Sequence, residues 1–173
     1  MNNATLIHIT RFFAFYIFQV LILKRLSIGW EGPVFFNFLL YPMFIFLLPL
    51  RTPQVVALFS AFALGILVDM SYDSLGVHAG ASVLTAYIRP WVLGWLEPRD
   101  GYNVNYSPNK ARMGAPWFLR YASILMAFHL VFYYSLDAFS PVYIVDILLK
   151  TLYSFPLSMI FVIMVAYIFD PEA

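Results

Sequence analysis

Six transmembrane helices in a single all-α domain, with both termini in the cytoplasm, are what this sequence predicts, on three observations. Of its 173 residues 62% are apolar and only 11% charged, with a mean hydropathy of +0.80. That is more apolar surface than one core can bury, so lipid must replace water around much of the chain. Secondly, the apolar residues gather into runs near the roughly 20 residues a helix needs to cross about 30 Å of hydrocarbon. Thirdly, Lys and Arg fall unequally on the two sides those runs define. Aromatic residues reach 20%, and their 12 Tyr and 4 Trp suit the headgroup boundary, where an apolar ring joins a polar handle.

The first span, about 6–23, is interrupted by His8, Arg11 and Gln19; Lys24-Arg25 and Gly29-Trp30-Glu31-Gly32-Pro33 come after it. No small-residue cleavage site is present there, so it reads as a retained helix and not a signal peptide. The second and third spans, about 34–50 and 54–69, are divided by Arg51-Thr52-Pro53. As one helix, Val34 to Asp69 would measure about 54 Å, too long for one crossing, and Pro49 and Pro53 discourage continuation. After the turn Met70 to Leu75 comes the fourth span, about 76–96, in which Arg89-Pro90 predicts a kink with Arg89 snorkelling to the cytoplasm. Residues 97–115, EPRDGYNVNYSPNKARMGA, form the one long polar segment, expected to be a cytoplasmic loop. The fifth span covers about 116–136. The sixth, about 145–169, either starts from an interfacial turn near Pro141 or tilts and kinks at Pro156.

When these spans alternate, Arg11, Arg51, Arg89, Arg99, Lys110, Arg112 and Arg120 share the side of the amino terminus. Lys24, Arg25 and Lys150 face the other. Seven against three places both termini and the long loop in the cytoplasm. Arg99, Lys110 and Arg112 of the loop, set among Tyr102 and Tyr106, suit contact with anionic lipid or a cytoplasmic protein.

Candidate functional residues fall into two sets. Small residues recur every fourth position at Ala57, Ala61 and Gly65, and again at Gly76 and Gly80, a spacing that lets helices approach closely. Either α-helical neighbours within the chain or a partner's helix can use such stripes. Beside them, Asp69 to His78 is the densest polar cluster, in which Asp73 is the favoured residue to end one helix and cap the next, while Asp69, directly after Ile66-Leu67-Val68, is expected to face protein. Together Ala57, Ala61, Gly65, Asp69, Gly76, His78 and Gly80 are candidates for a partner interface. The second set comprises ionisable or polar residues within spans: Gln19, His129, Asp146 and Lys150, the last two forming an i,i+4 pair if that helix enters the membrane early.

Other classes are disfavoured. The chain has no Cys, so disulfides and thiolate metal sites are excluded, and a net charge of +1 gives no reason to expect nucleic acid as a partner. No phosphate-binding loop, HExxH or GxSxG motif occurs. No catalytic residue, metal or cofactor is expected.

Gly65-Ile66-Leu67-Val68-Asp69, then Ser74-Leu75-Gly76-Val77-His78-Ala79, resembles the MreD family of rod-shape-determining membrane proteins. In that family a G-x-x-x-D helix end leads through a short turn to a G-(L/V)-H start. The helix pair around Pro49, and Ala86-Tyr87, are similar as well, while Arg89-Pro90-Trp91 and the long loop resemble the variant of the Bacteroidetes branch. The resemblance implies a non-enzymatic component of the cell-elongation machinery in the bacterial inner membrane. It would bind an MreC-like protein and help connect MreB filaments to the peptidoglycan synthases. It also implies a fold similar to the substrate-binding subunits of energy-coupling-factor vitamin importers. That gives an alternative function, although the importers' AxxxA signature lies on their first helix and Ala57 and Ala61 lie on the third span here.

Overall fold

The computed structural model describes residues 3–28, 37–104 and 106–168, and all regular structure among them is helical. A first helical rod runs through α1 (Asn3–Phe18), a π-helical turn (Gln19–Leu23) and α2 (Lys24–Ile28). After it come the short α3 (Met43–Phe46), α4 (Gln54–Tyr72), α5 (Val77–Trp95) and the short α6 (Lys110–Met113). The chain closes with α7 (Ala115–Ala138) and α8 (Ile144–Ile168). Among the described residues four helices are long and apolar enough to cross a membrane: Leu6–Leu26, Gln54–Tyr72, Ala115–Ala138 and Pro141–Ile168. With 19 residues α5 has the length of α4, but its His78, Ser82, Thr85 and Arg89 make it more polar, and all four are buried.

α4, α5, α7 and α8 pack in sequence order, and the reason is readable along α4. Its Ala57, Ala61, Leu64, Gly65 and Val68 are buried while Val55, Val56, Phe59 and Phe62 are exposed, giving one apolar face for protein and another for lipid. At Gly65 a Cβ would stand 2.4 Å from the Cα of Ala79, so only glycine lets α4 meet the start of α5. Gly80 turns toward α7, where a Cβ would meet Leu136 Cδ1 at 2.7 Å. The stripe of Ala57, Ala61 and Gly65 is therefore covered within the chain. Gly76 has a different use: its φ of 83° sets the left-handed turn into α5, with open space around it.

The second expected span differs. Val34 to Phe36 lie outside the described residues, but Asn37 to Leu40 run without helix, and helix resumes only for Met43–Phe46. Leu39 to Leu48 are nonetheless buried at the centre of the fold. Pro42, four residues after Phe38, has no N–H to close a helical turn with it, and Pro49 blocks any continuation of α3. Hydropathy reported correctly that this segment is buried and wrongly that it is one long helix.

At the far end, residues 97–115 are more ordered than a free loop. Asn109 caps α6 by accepting from Arg112 N at 2.9 Å, Tyr102 donates to Leu93 O at 2.8 Å, and Trp117 Nε1 donates to Leu96 O at 2.8 Å. Lys110 and Arg112 lie over the rings of Tyr167 and Tyr106, at 4.0 and 4.6 Å. The sixth expected span is preceded by a 3₁₀ turn, Pro141–Tyr143, capped by Ser140, and continues without a break past Pro156; Phe169 lies outside the described residues.

Candidate functional site

A non-helical backbone inside an apolar helical bundle must find partners for its N–H and C=O groups, because apolar side chains offer none. The polar residues scattered through the apolar runs supply them. Gln19 is fully buried, and its Oε1 accepts from Leu40 N at 2.8 Å and Tyr41 N at 3.3 Å. Its Nε2 donates to Phe38 O and to the Tyr72 hydroxyl, each at 2.8 Å. From the opposite side α8 contributes two serines: Ser158 Oγ accepts from Leu39 N at 3.0 Å and Ser154 Oγ from Asn37 N at 3.2 Å. One amide and two hydroxyls thus replace the hydrogen-bond ladder that a helix would have made.

The other end of the segment leaves carbonyls open after α3, as every helix C-terminus does. Arg89, only 3% exposed, donates from Nε to the Tyr121 hydroxyl at 2.9 Å and from its guanidinium to Leu48 O, while Tyr121 donates to Phe46 O at 3.1 Å. The expectation that Arg89 snorkels outward is corrected: a cation at a helix C-terminus meets both the dipole and the orphan carbonyls, and these hold it inside. Pro90 opens a further gap, since it has no N–H for Ala86 O four residues earlier. Gln54 Nε2 fills it at 3.0 Å from α4.

His129 of α7 sits in the same belt, fully buried between Tyr41 and Thr85. Thr85 Oγ1 gives its proton to Ala81 O at 2.7 Å, so it receives Nδ1–H of His129 at 2.8 Å. His129 Nε2 then accepts from the Tyr41 hydroxyl at 2.9 Å. The neutral imidazole is fully occupied by this arrangement. Lys150 takes a different partner from the one expected: its Nζ is 3.8 Å from Asp137 Oδ2, whereas Asp146 is exposed. Asp137, in the last turn of α7, lies across the turn into α8, and the pair is only partly shielded.

The Asp69-to-His78 corner lies at the junction of α4 and α5. Asp69 Oδ1 accepts from His78 N at 3.0 Å and from Ser74 Oγ at 2.5 Å, and Oδ2 accepts from Ala79 N at 2.9 Å. The carboxylate thus caps the N-terminus of α5, one helix stabilised by a side chain from the previous one. Asp73, the favoured capping candidate, instead adopts the left-handed conformation that ends α4, with φ 55°. His78 Nδ1 also lies 3.0 Å from Asp69 Oδ1, leaving Nε2 buried and without a hydrogen-bond partner among the described residues. Around the imidazole stand Tyr72 and Tyr133, each 4.9 Å between ring centroids, and Tyr41 at 5.7 Å. Each tyrosine hydroxyl is engaged elsewhere: Tyr72 with Gln19, Tyr133 with Asn37, Tyr41 with His129.

Of the expected site residues, the structure therefore joins Gln19, His129, Asp69 and His78 through these three tyrosines and leaves Asp146 and Lys150 apart. Ser154, Ser158, Thr85 and Tyr41 were missed by sequence reasoning, because single hydroxyls in apolar helices are unremarkable until a non-helical backbone passes beside them. Among the described residues no three His, Asp or Glu side chains gather as metal ligands would. Compared with protein-family profiles, with curated proteins and with solved structures, the chain matches none.

Proposed function

We propose that this chain is a non-enzymatic membrane scaffold of the bacterial cell-elongation machinery, MreD-like, which binds an MreC-like protein in the inner membrane. In this reading the segment 37–50, helical only at α3, is a sixth crossing beside α1, α4, α5, α7 and α8, and the distribution of Lys and Arg puts both termini in the cytoplasm. The observation that carries it is how the polar core is used. Gln19, Arg89, His129 and Asp69 are directed at the chain's own backbone and hydroxyls, an arrangement that fixes shape. The partner would then meet outward apolar faces, such as Phe59 and Phe62 on α4 or Leu152 and Ile160 on α8.

The test is co-expression with the MreC-like protein of the same organism, with a photo-crosslinking residue placed in turn at Phe13, Phe59 and Ile160. Co-purification with a crosslink confined to one face is expected, together with rounding of cells on depletion of the chain. Absence of any complex, with rod shape kept on depletion, would remove the reading. One observation favours the second reading, a subunit of a vitamin-type importer: the unpartnered His78 Nε2. Purified protein retaining a vitamin-sized molecule that is lost on His129→Ala or His78→Ala would put that reading first.

A further inference from the structure

A cavity of about 390 Å³ opens beside the first helical rod, away from the Asp69–His78 corner. On one side Arg11, Ala14, Phe15 and Phe18 follow one another along a single face of α1. On the other, Leu40, Met43 of α3, Leu47 and Val165 of α8 complete the wall. The volume lies in the range of ligand sites, and the lining is apolar except at one end, where Arg11 stands. Among the described residues Arg11 Nη1 has no hydrogen-bond partner and no ion pair reaches Arg11, whose side chain is half-buried. A shielded N–H donor with nothing to donate to is costly, and an anionic oxygen brought against it removes that cost.

The position of the cavity identifies the kind of anion. Leu6, Ile9, Phe13, Ile17 and Leu21 make the outward face of α1 continuously apolar and exposed, so the cavity mouth adjoins a surface suited to hydrocarbon. Arg11 lies five residues into the span, about 7.5 Å along the axis, and helical side chains lean toward the N-terminus, which brings its charge to headgroup level. Phe18, the other end of the lining, lies one residue before Gln19 and the unwound backbone, toward the middle of the bundle. The site is thus apolar inward with the Arg11 side chain bordering its outer end, matching a molecule with an anionic head and a hydrocarbon tail. We propose that it binds one anionic phospholipid, with the headgroup phosphate on Arg11 and one acyl chain between α1, the segment 37–50 and α8.

Native mass spectrometry of the full chain in detergent, titrated with phosphatidylglycerol or phosphatidylcholine, tests this. One phosphatidylglycerol should be retained in preference to phosphatidylcholine by at least tenfold. Arg11→Gln should abolish that preference, Arg11→Lys should keep part of it, and Ala14→Leu, which fills the cavity and leaves the charge, should weaken retention of the lipid. Equal retention of the two lipids by the wild-type chain would overturn the proposal, as would unchanged selectivity in Arg11→Gln. Two further results would also overturn it by naming another occupant. In one, inorganic phosphate competes at the concentrations where the lipid binds, marking a site for free anions. In the other, phosphatidylglycerol binds only after Asp170→Asn and Glu172→Gln, marking a site held by the chain's own carboxyl-terminal residues.

Discussion

Replacing Gln19 by alanine tests the central structural claim, that one buried amide stands in for the missing helical bonds of the unwound segment. The substitution removes the acceptor for Leu40 N and the donor to Phe38 O, both at 2.8 Å, along with a longer bond to Tyr41 N at 3.3 Å. Each well-formed backbone group left unsatisfied in the interior costs roughly 1–3 kcal/mol, so the two short bonds together are worth about 4 kcal/mol. That is close to a thousandfold in the unfolding equilibrium. Titrating the purified protein from mild detergent into dodecyl sulfate, followed by tryptophan fluorescence, gives the global value. A local value comes from thiol labelling, because the chain has no cysteine of its own and Leu39, only 1% exposed, can carry a unique one. In the Gln19→Ala background the introduced thiol should label far faster than in the parent. Gln54→Ala is the matched control, losing its bond to Ala86 O at one edge of the fold, and should cost about 1 kcal/mol. If Gln19→Ala fell within about 1 kcal/mol of the parent while the thiol at position 39 stayed protected, the segment would be held by packing alone and backbone satisfaction would not explain it.

The same contacts predict three further outcomes. Gly65→Ala should lose about 3 kcal/mol because its methyl meets the backbone of Ala79, whereas Gly94→Ala, with open space around it, should be neutral or up to about 1 kcal/mol more stable; the detergent titration compares them directly. Arg89→Ala should cost about 3 kcal/mol and Tyr121→Phe about 1 kcal/mol, with the double variant losing less than the sum because both side chains serve the carbonyls after α3. Additive losses in that cycle would mean the two act separately. Asp69→Ala should speed amide hydrogen exchange over residues 77–80, and Asp69→Asn should do so less, since one carbonyl oxygen remains to accept; unchanged exchange would show that the α5 terminus needs no cap.

What the sequence displayed, and what it hid, divides along one physical line. Apolar content reports which residues leave water, so the runs that became α1, α4, α5, α7 and α8 could be found within a few residues of their ends. Conformation inside a buried segment is a different property, decided by local stereochemistry. For Val34 to Leu50 the warning was Pro42, which is easily passed over because it sits amid bulky apolar residues. The polar residues divide in the same way. His129 was recognisable as a buried group needing partners, but not which ones, since Tyr41 and Thr85 lie 88 and 44 positions away. Arg89 stood near enough to a helix end for an outward path to look natural, and only the open carbonyls of a short helix from another part of the chain explain why it turns inward. Between Asp69 and Asp73 the capping role went to the earlier residue, because α4 runs on to Tyr72 and carries Asp69 past the first amides of α5.

The π-helical turn at Gln19 to Leu23 has a consequence for the length of the chain as distinct from its composition. Here Lys24 N reaches back five residues to Gln19 O, so this turn holds one residue more than an α-helix would. Everything before it is rotated by about 100° relative to an uninterrupted helix. Loss of any single residue between Gln19 and Lys24 would let the rod close into regular α geometry. Gln19 would then turn away from Leu40 while Lys24 kept its bond to Ser71 O. Conservative replacements within that turn are therefore tolerable where a deletion is not. The spacing of five residues becomes a constraint on any protein that carries its unwound segment in this way.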